Sequence, residues 1–241
     1  MPDNRRHRGP HPADPDLFGE AQVSALQHAV RDLSWLLTRG YGGASALKLV
    51  GDRFQLVDRQ RTAVMRCACS DQSLEERQQR RTDPPNGQSV AIDGFNLITT
   101  IEAALSGGVL IRGRDDCLRD MASMHGTYRR VEETIPALTL IGERLAAHGV
   151  GEVLWLLDNP VSNSGRLKQV IEEVAGERGW NWSAQLDRNP DEALIRLQEH
   201  LIVSADSYVI ENSEQWWSLA NDVVESCVES VWVVDCGALK I

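Results

Sequence analysis

A chain of 241 residues, 42% of them hydrophobic, can bury one large domain or a main domain with a smaller companion. No apolar run approaches the ~20 residues of a membrane span. A net charge of −10 argues against a generic nucleic-acid binder held by overall positive charge. The charge is uneven, however. Residues 1–89 carry 13 Lys/Arg against 11 Asp/Glu, and residues 90–241 carry 12 against 24, so a local basic surface stays available.

Residues 1–16 are polar and rich in Pro, His and Arg, without the apolar stretch of a signal peptide. That composition predicts a disordered tail and a cytoplasmic address. Residues 17–70 read as a small helical domain. Phe18, Val23, Leu26, Val30, Leu33, Leu36 and Leu37 recur at helical spacing, with Gly40 as a stop signal. Further helices are expected over 44–50 and 58–69. Arg53, Arg59, Arg61 and Arg66 cluster there, either as a solvated face or as a surface that contacts phosphate. Residues 71–89 are charged and Gln/Pro-rich, ending near Pro84-Pro85-Asn86-Gly87, and read as a linker. Cys67, Cys69, Cys117, Cys227 and Cys236 fit no zinc spacing and read as ordinary reduced thiols.

From Val90 onward, to residue 241, short apolar strands alternate with helical patterns. The strands are Val90–Asp93, Val153–Asp158, Trp182–Asp187, Leu201–Asp206 and Val231–Asp235, and each ends in aspartate. Helices are expected at 97–105, 127–148 (interrupted by Pro136), 163–178, 191–197 and 213–227. Residues 107–124 read as a long irregular loop, which in a compact domain is usually functional or disordered. The fold class is therefore α/β: a three-layer sandwich with a five-stranded, mainly parallel sheet, preceded by the small helical domain. Trp216-Trp217 on a helix and Trp180 and Trp182 beside a strand are expected to fill the core.

Parallel sheets place ligands beyond the carboxyl ends of their strands, where the strand order reverses. With the first strand central and the second and fourth beside it, Asp93, Asp158 and Asp206 form the candidate cluster, and Asp187 and Asp235 fall outside it. Carboxylate oxygens suit magnesium or manganese. The plain structural alternative for each aspartate is a helix cap. Asn96, two residues after Gly94, can reach back over the same crevice. The loop residues Arg112, Arg114 and Arg119, with Arg129 and Arg130 beyond His125, offer guanidinium groups to phosphate. They also read as a salt-bridged loop capped by Thr127. The segment Asp158-Asn159-Pro160-Val161-Ser162-Asn163 precedes a helix N-terminus that can bind phosphate or be capped by Ser162 or Asn163.

The ordered set Ile92-Asp93-Gly94-Phe95-Asn96, Leu157-Asp158-Asn159 and Val203-Ser204-Ala205-Asp206-Ser207 resembles the PIN-like nuclease superfamily, particularly its NYN branch. Over most of its length after residue 16, including Gly40-Tyr41-Gly42-Gly43 and Gly51-Asp52-Arg53-Phe54-Gln55-Leu56, the chain resembles domain of unknown function 434 followed by domain of unknown function 5616. The resemblance implies a PIN-like Rossmannoid sheet and a Mg2+- or Mn2+-dependent endoribonuclease. Its metal ligands would be Asp93, Asp158 and Asp206, with Asn96 as the polar residue of the first motif. The second acid that the NYN pattern often carries two residues after the last aspartate is Tyr208 here, so Asp115 or Asp116 would have to supply it. RNA is then the expected partner, held by Arg59 and Arg61 of the helical domain together with Arg112, Arg114, Arg119, Arg129 and Arg130. A protein partner or a homodimer stays open, and no membrane is expected. The competing reading is a non-catalytic RNA- or ribonucleoprotein-binding module on the same fold. A haloacid-dehalogenase-type phosphohydrolase would need an acid where Phe95 stands.

Overall fold

A computed structural model describes residues 7–83, 87–122 and 128–237. Residues 1–6, the Pro84-Pro85-Asn86 stretch, His125 and the Thr127 cap lie outside the described residues. The described chain opens with helices α1 (Asp14–Phe18), α2 (Glu20–Thr38), α3 (Gly43–Arg53), α4 (Asp58–Cys67) and α5 (Asp71–Arg80). Then come β1 (Val90–Asp93), α6 (Gly94–Leu105), β2 (Val109–Arg112), β3 (Leu118–Asp120) and α7 (Thr134–Ala147). The alternation continues with β4 (Val153–Asp158), α8 (Ser164–Arg178), β5 (Trp182–Asp187), α9 (Pro190–Ile195) and β6 (Leu201–Val203). It closes with α10 (Ser207–Asn212), β7 (Trp216–Trp217), α11 (Leu219–Cys227) and β8 (Trp232–Asp235).

The main sheet has five parallel strands in the order β5-β4-β1-β6-β7. Side chains alternate across it with the period of two that a pleated strand imposes. Val90, Ile92, Val153, Trp155, Leu157, Leu201 and Val203 face a core built with α6, α7, α8 and α11. Ala91, Leu156 and Ile202 face the opposite side, with Leu194 of α9, Val209 and Ile210 of α10, and Trp216. Burial on both faces explains why these strands read as continuous apolar runs. β1 sits between β4 and β6, so Asp93 shares the sheet's centre with the strands leading to Asp158 and Asp206.

Gly94 makes this arrangement possible. A Cβ there would stand 2.5 Å from Leu157 Cδ2 and 2.9 Å from the Leu156 carbonyl oxygen. Gly94 is needed for the close approach of α6 to β4.

The structure departs from the sequence reading in five places. The fifth aspartate-ended strand, β8, is absent from the main sheet; it pairs in parallel with β2, which pairs antiparallel with β3. The fifth place goes to β7, the Trp216-Trp217 pair expected on a helix, and both indoles are buried as anticipated. Residues 107–124 therefore contain two strands of a second sheet. Its apolar side chains Val109, Ile111, Val234 and Cys236 pack on Phe18, Leu26, Val30, Leu33, Val50 and Val64, so the N-terminal helices share their core with it.

The third departure is the linker, where residues 71–80 form α5, started by Ser70 Oγ accepting from the Ser73 amide at 3.0 Å. The fourth is the tail. From His7 onward it is bound to the body: His7 meets Glu133 at 2.6 Å, Arg8 meets Glu102 at 2.6 Å, and buried Asp14 pairs with Arg59. Last, α7 begins at Thr134, so Pro136 lies in its first turn, where a missing N–H costs no helical bond.

Candidate functional site

Asp93 ends β1 and occupies the N-cap position of α6, but its side chain makes no capping hydrogen bond. Instead Asp93 Oδ2 accepts from the Ser204 hydroxyl at 2.8 Å. Burial pushes the carboxyl up to about 7, the Ser204 bond opposes this, and the charges of Asp191 and Asp206 push it further up. A weaker downward pull comes from the Asn96 amide, which lies outside capping geometry.

Ser204, which the sequence reading left without a role, links two strand ends. Its oxygen also accepts from the Asp206 amide at 3.0 Å. Asn96 Oδ1 accepts from the Ala205 amide at 2.9 Å and ties α6 to the β6 exit. Asp206 does cap a helix: its Oδ1 accepts from the amides of Tyr208 (2.8 Å) and Val209 (3.2 Å) at the start of α10. Asp158 ends β4 opposite Asp187 of β5. Burial raises its carboxyl above the usual range, and the charge of Asp187 raises it further.

The sequence reading missed Asp191. It lies in the first turn of α9, just after Pro190. Its carboxyl is raised by burial, then by the charges of Asp206 and Asp158, and it in turn raises Asp93. Asp93, Asp158, Asp191 and Asp206 are thus one electrostatic community. Among the described residues none of the four has a Lys, Arg or His within ion-pair distance. Nor does any group of three or more His, Cys, Asp or Glu among the described residues stand close enough to hold a metal ion together. Asp187 and Asp235 accept from the amides of Asn189 (2.8 Å) and Gly237 (2.9 Å), local loop roles as expected.

The structure takes Asp115 and Asp116 away from this community. Asp115 is buried between Arg119 and Arg77 and bonds to both, with Arg119 contacts of 2.8 and 2.6 Å. Burial alone would raise its carboxyl, but the two guanidinium groups outweigh that and hold it at about 2. Arg77 continues to Glu211 of α10, and Arg119 Nε donates to the Ala205 carbonyl at 2.8 Å. Asp116 pairs with Arg112 and Arg81. Both carboxylates are engaged by guanidinium partners.

Most of the arginines assigned to phosphate are likewise neutralised. Arg59 pairs with Asp14, Arg61 with Asp52, Arg112 with Asp116 and Glu225, Arg114 with Asp71, and Arg119 with Asp115. Arg129 and Arg130 are exposed and have no ion pair among the described residues. At the next helix, Asn163 stands at the N-cap of α8 with φ 72° and makes no cap bond. Its Nδ2 donates to the Tyr128 carbonyl at 2.8 Å.

A cleft of about 330 Å3 opens beside Asp206, lined by Arg66, Asn96, Thr99, Thr100, Asp120 and Ser207 among others. It lies between the carboxyl ends of β1 and β6 and helix α4. All five cysteines are free thiols, as expected, and burial pushes Cys69 up to about 11 and Cys117 to about 12. No described helix is long and apolar enough to cross a membrane.

Two family descriptions match the chain: Domain of unknown function 5616 over residues 83–222 and, before it, Protein of unknown function 434 over residues 25–80. An uncharacterized protein of Methanocaldococcus jannaschii is 29% identical over 151 residues, covering 62% of this chain and 72% of its own. No solved structure matches the chain.

Proposed function

The chain belongs to the family of domain of unknown function 5616, and from that premise we propose that it is a divalent-metal-dependent ribonuclease on a PIN-like, NYN-like sheet. The observation that carries the reading is the set of mutually repelling carboxylates without cationic partners, Asp93, Asp158, Asp191 and Asp206, at the carboxyl side of adjacent parallel strands. Carboxylates held in the same field without a counter-charge suit a hard divalent cation, because their oxygens are its preferred donors. Asp93 and Asp206 would hold Mg2+ or Mn2+ with water completing the shell, and Asp158 and Asp191 would add negative charge at the flank. Asp191 would stand in for the second acid of the NYN pattern, whose place Tyr208 takes in this chain. The ion's chemistry is to activate water and to offset charge on the phosphate and leaving oxygen. Ser204 orients Asp93, and Asn96 fixes the Ala205-Asp206 turn. Asp93, titrating near 7, couples cation binding to proton release and weakens it as pH falls below that value.

The test is cleavage of single-stranded RNA by the purified chain with Mg2+ or Mn2+. Asp93→Asn and Asp206→Asn should each lower the rate at least a hundredfold, on the order expected when a charge acting on the transition state is removed. Asparagine still caps α10, so loss in Asp206→Asn would not be loss of the helix. No cleavage with either cation would sink the reading. A second reading, an RNA- or ribonucleoprotein-binding module that retains the fold, is favoured by the lack of three converging ligands among the described residues. It expects salt-dependent RNA binding that neither chelator nor Asp93→Asn changes.

A further inference from the structure

We infer that the cleft beside Asp206 is a docking groove for a backbone phosphate of single-stranded RNA, with Arg66 of α4 as its anion contact. The inference rests on the ribonuclease or RNA-binding reading of the same site, and it makes the N-terminal helical region part of that site.

Arg66, Asn96 and Ser207 bring uncommitted hydrogen-bond donors to the cleft. Arg66 lines the cleft and, among the described residues, has no carboxylate within ion-pair distance. Among the described residues its one hydrogen bond goes from Nη1 to the Asp120 carbonyl at 2.6 Å, which fixes the guanidinium in place and leaves the other N–H groups without a partner there. Asn96 has its Oδ1 committed to the Ala205 amide, so its Nδ2 donor has no partner among the described residues. The Ser207 hydroxyl is likewise unpartnered among them. The cleft's buried carboxylate, Asp120, accepts at Oδ1 from the Ala122 amide at 2.6 Å, while the Thr99 and Thr100 hydroxyls near its Oδ2 (3.0 and 3.3 Å) are shared with the closer carbonyls of Phe95 (2.8 Å) and Asn96 (2.9 Å). Arg119, the other guanidinium on the wall, is spent on Asp115 and the Ala205 carbonyl. The carboxylates of Asp120 and Asp206 also line the cleft, so what suits an oxyanion there is the local set of unused Arg66 N–H groups, Asn96 Nδ2 and the Ser207 hydroxyl.

The cleft's volume lies within the ~300–1,000 Å3 range of small-ligand sites. Its position matters more. Asn96 and Asp206 belong both to the cleft and to the acidic site, so a phosphate on Arg66 would place the next stretch of backbone against the carboxylates. A free phosphate would satisfy Arg66 but gain nothing from that continuity.

The experiment is fluorescence anisotropy of a labelled single-stranded oligouridine with the full chain in Ca2+ buffer across a salt series. Arg66→Ala should weaken binding on the order of tenfold and make the slope of log K against log salt shallower by about 0.7, the value for one lost phosphate contact on a single strand. Arg66→Lys should retain the slope. Arg178→Ala, on the distant end of α8, should match the wild type. A wild-type salt slope in Arg66→Ala overturns the inference, including where affinity falls through misfolding. Displacement of the oligonucleotide by inorganic phosphate or uridine monophosphate at equal phosphate concentration overturns it in favour of a small-anion site. These arms read binding alone. A chain that binds through Arg66 but does not cut RNA removes the nuclease reading and leaves the groove. A chain that cuts RNA but binds it independently of Arg66 does the reverse.

Discussion

Two sets of carboxylates in this fold, linked through Arg119 and the Ala205 carbonyl, are treated in opposite ways. Asp115 sits between Arg77 and Arg119, with Glu211 completing the network, and its carboxyl is held at about 2. Asp93 is at the centre of the main sheet with a single hydroxyl donor and two acidic neighbours, and its carboxyl is pushed up to about 7. Both are desolvated; the difference is the company each keeps. A paired carboxylate braces α5, β3 and α10 together, whereas an unpaired one is left tense where a ligand can relieve it. Arg119 connects the two sets, since it bonds Asp115 and also the carbonyl of Ala205, the residue before Asp206.

Removing one charge from each set separates the roles. Asp115→Asn leaves two buried guanidinium groups facing a neutral amide and should cost about 3–5 kcal/mol in urea unfolding at pH 7. The depressed carboxyl also fixes the sign of the acid limb. Its contribution is fully present above pH 4 and is lost as pH falls from there toward 2, so the variant's deficit should shrink over that window.

Asp93→Asn should do the opposite. Its raised carboxyl costs stability only when ionised in the fold, so the cost is absent below about pH 4 and complete above about pH 7. The variant should gain about 1–2 kcal/mol at pH 8, allowing for partial solvent access, and nothing at pH 4. A loss of stability at pH 8 would mean that Asp93 is a structural cap after all. The smallest effect belongs to Asp191→Asn. Removing this charge should lower the titration midpoint of Asp93, read by carboxyl NMR; an unmoved midpoint would take Asp191 out of the site.

Much of the frame was legible because it depends on short-range patterns. Apolar runs ending at Asp93, Asp158 and Asp187 became β1, β4 and β5 with the same bounds, and the order β4-β1-β6 followed from topological rules. The strand pattern of β8 is local, but its place beside β2, more than 100 residues away, is announced by no local period, and β2 and β3 are strands of only four and three residues. Two adjacent indoles fit a helix pattern and a strand equally well, and only pairing with β6 decided for β7. Asp191 was passed over because an acid after proline is an ordinary first-turn helix residue. For the arginines, residue type shows a charge but not whether Asp14, Asp52, Asp71 or Glu225 already pairs with it.

The amino-acid sequence by itself determined the parallel α/β sheet, the central place of β1 and the aspartates that end β1 and β4, because burial on both faces and tight crossovers are local, composition-driven constraints. Asp206 stands three residues beyond β6 as the cap of α10. Tertiary structure alone decided which charges remain unspent. Neutralisation depends on distances between side chains far apart in the chain: it paired Asp115 and Asp116, brought Asp191 into the field of Asp93, and left Arg66 at the mouth of the cleft.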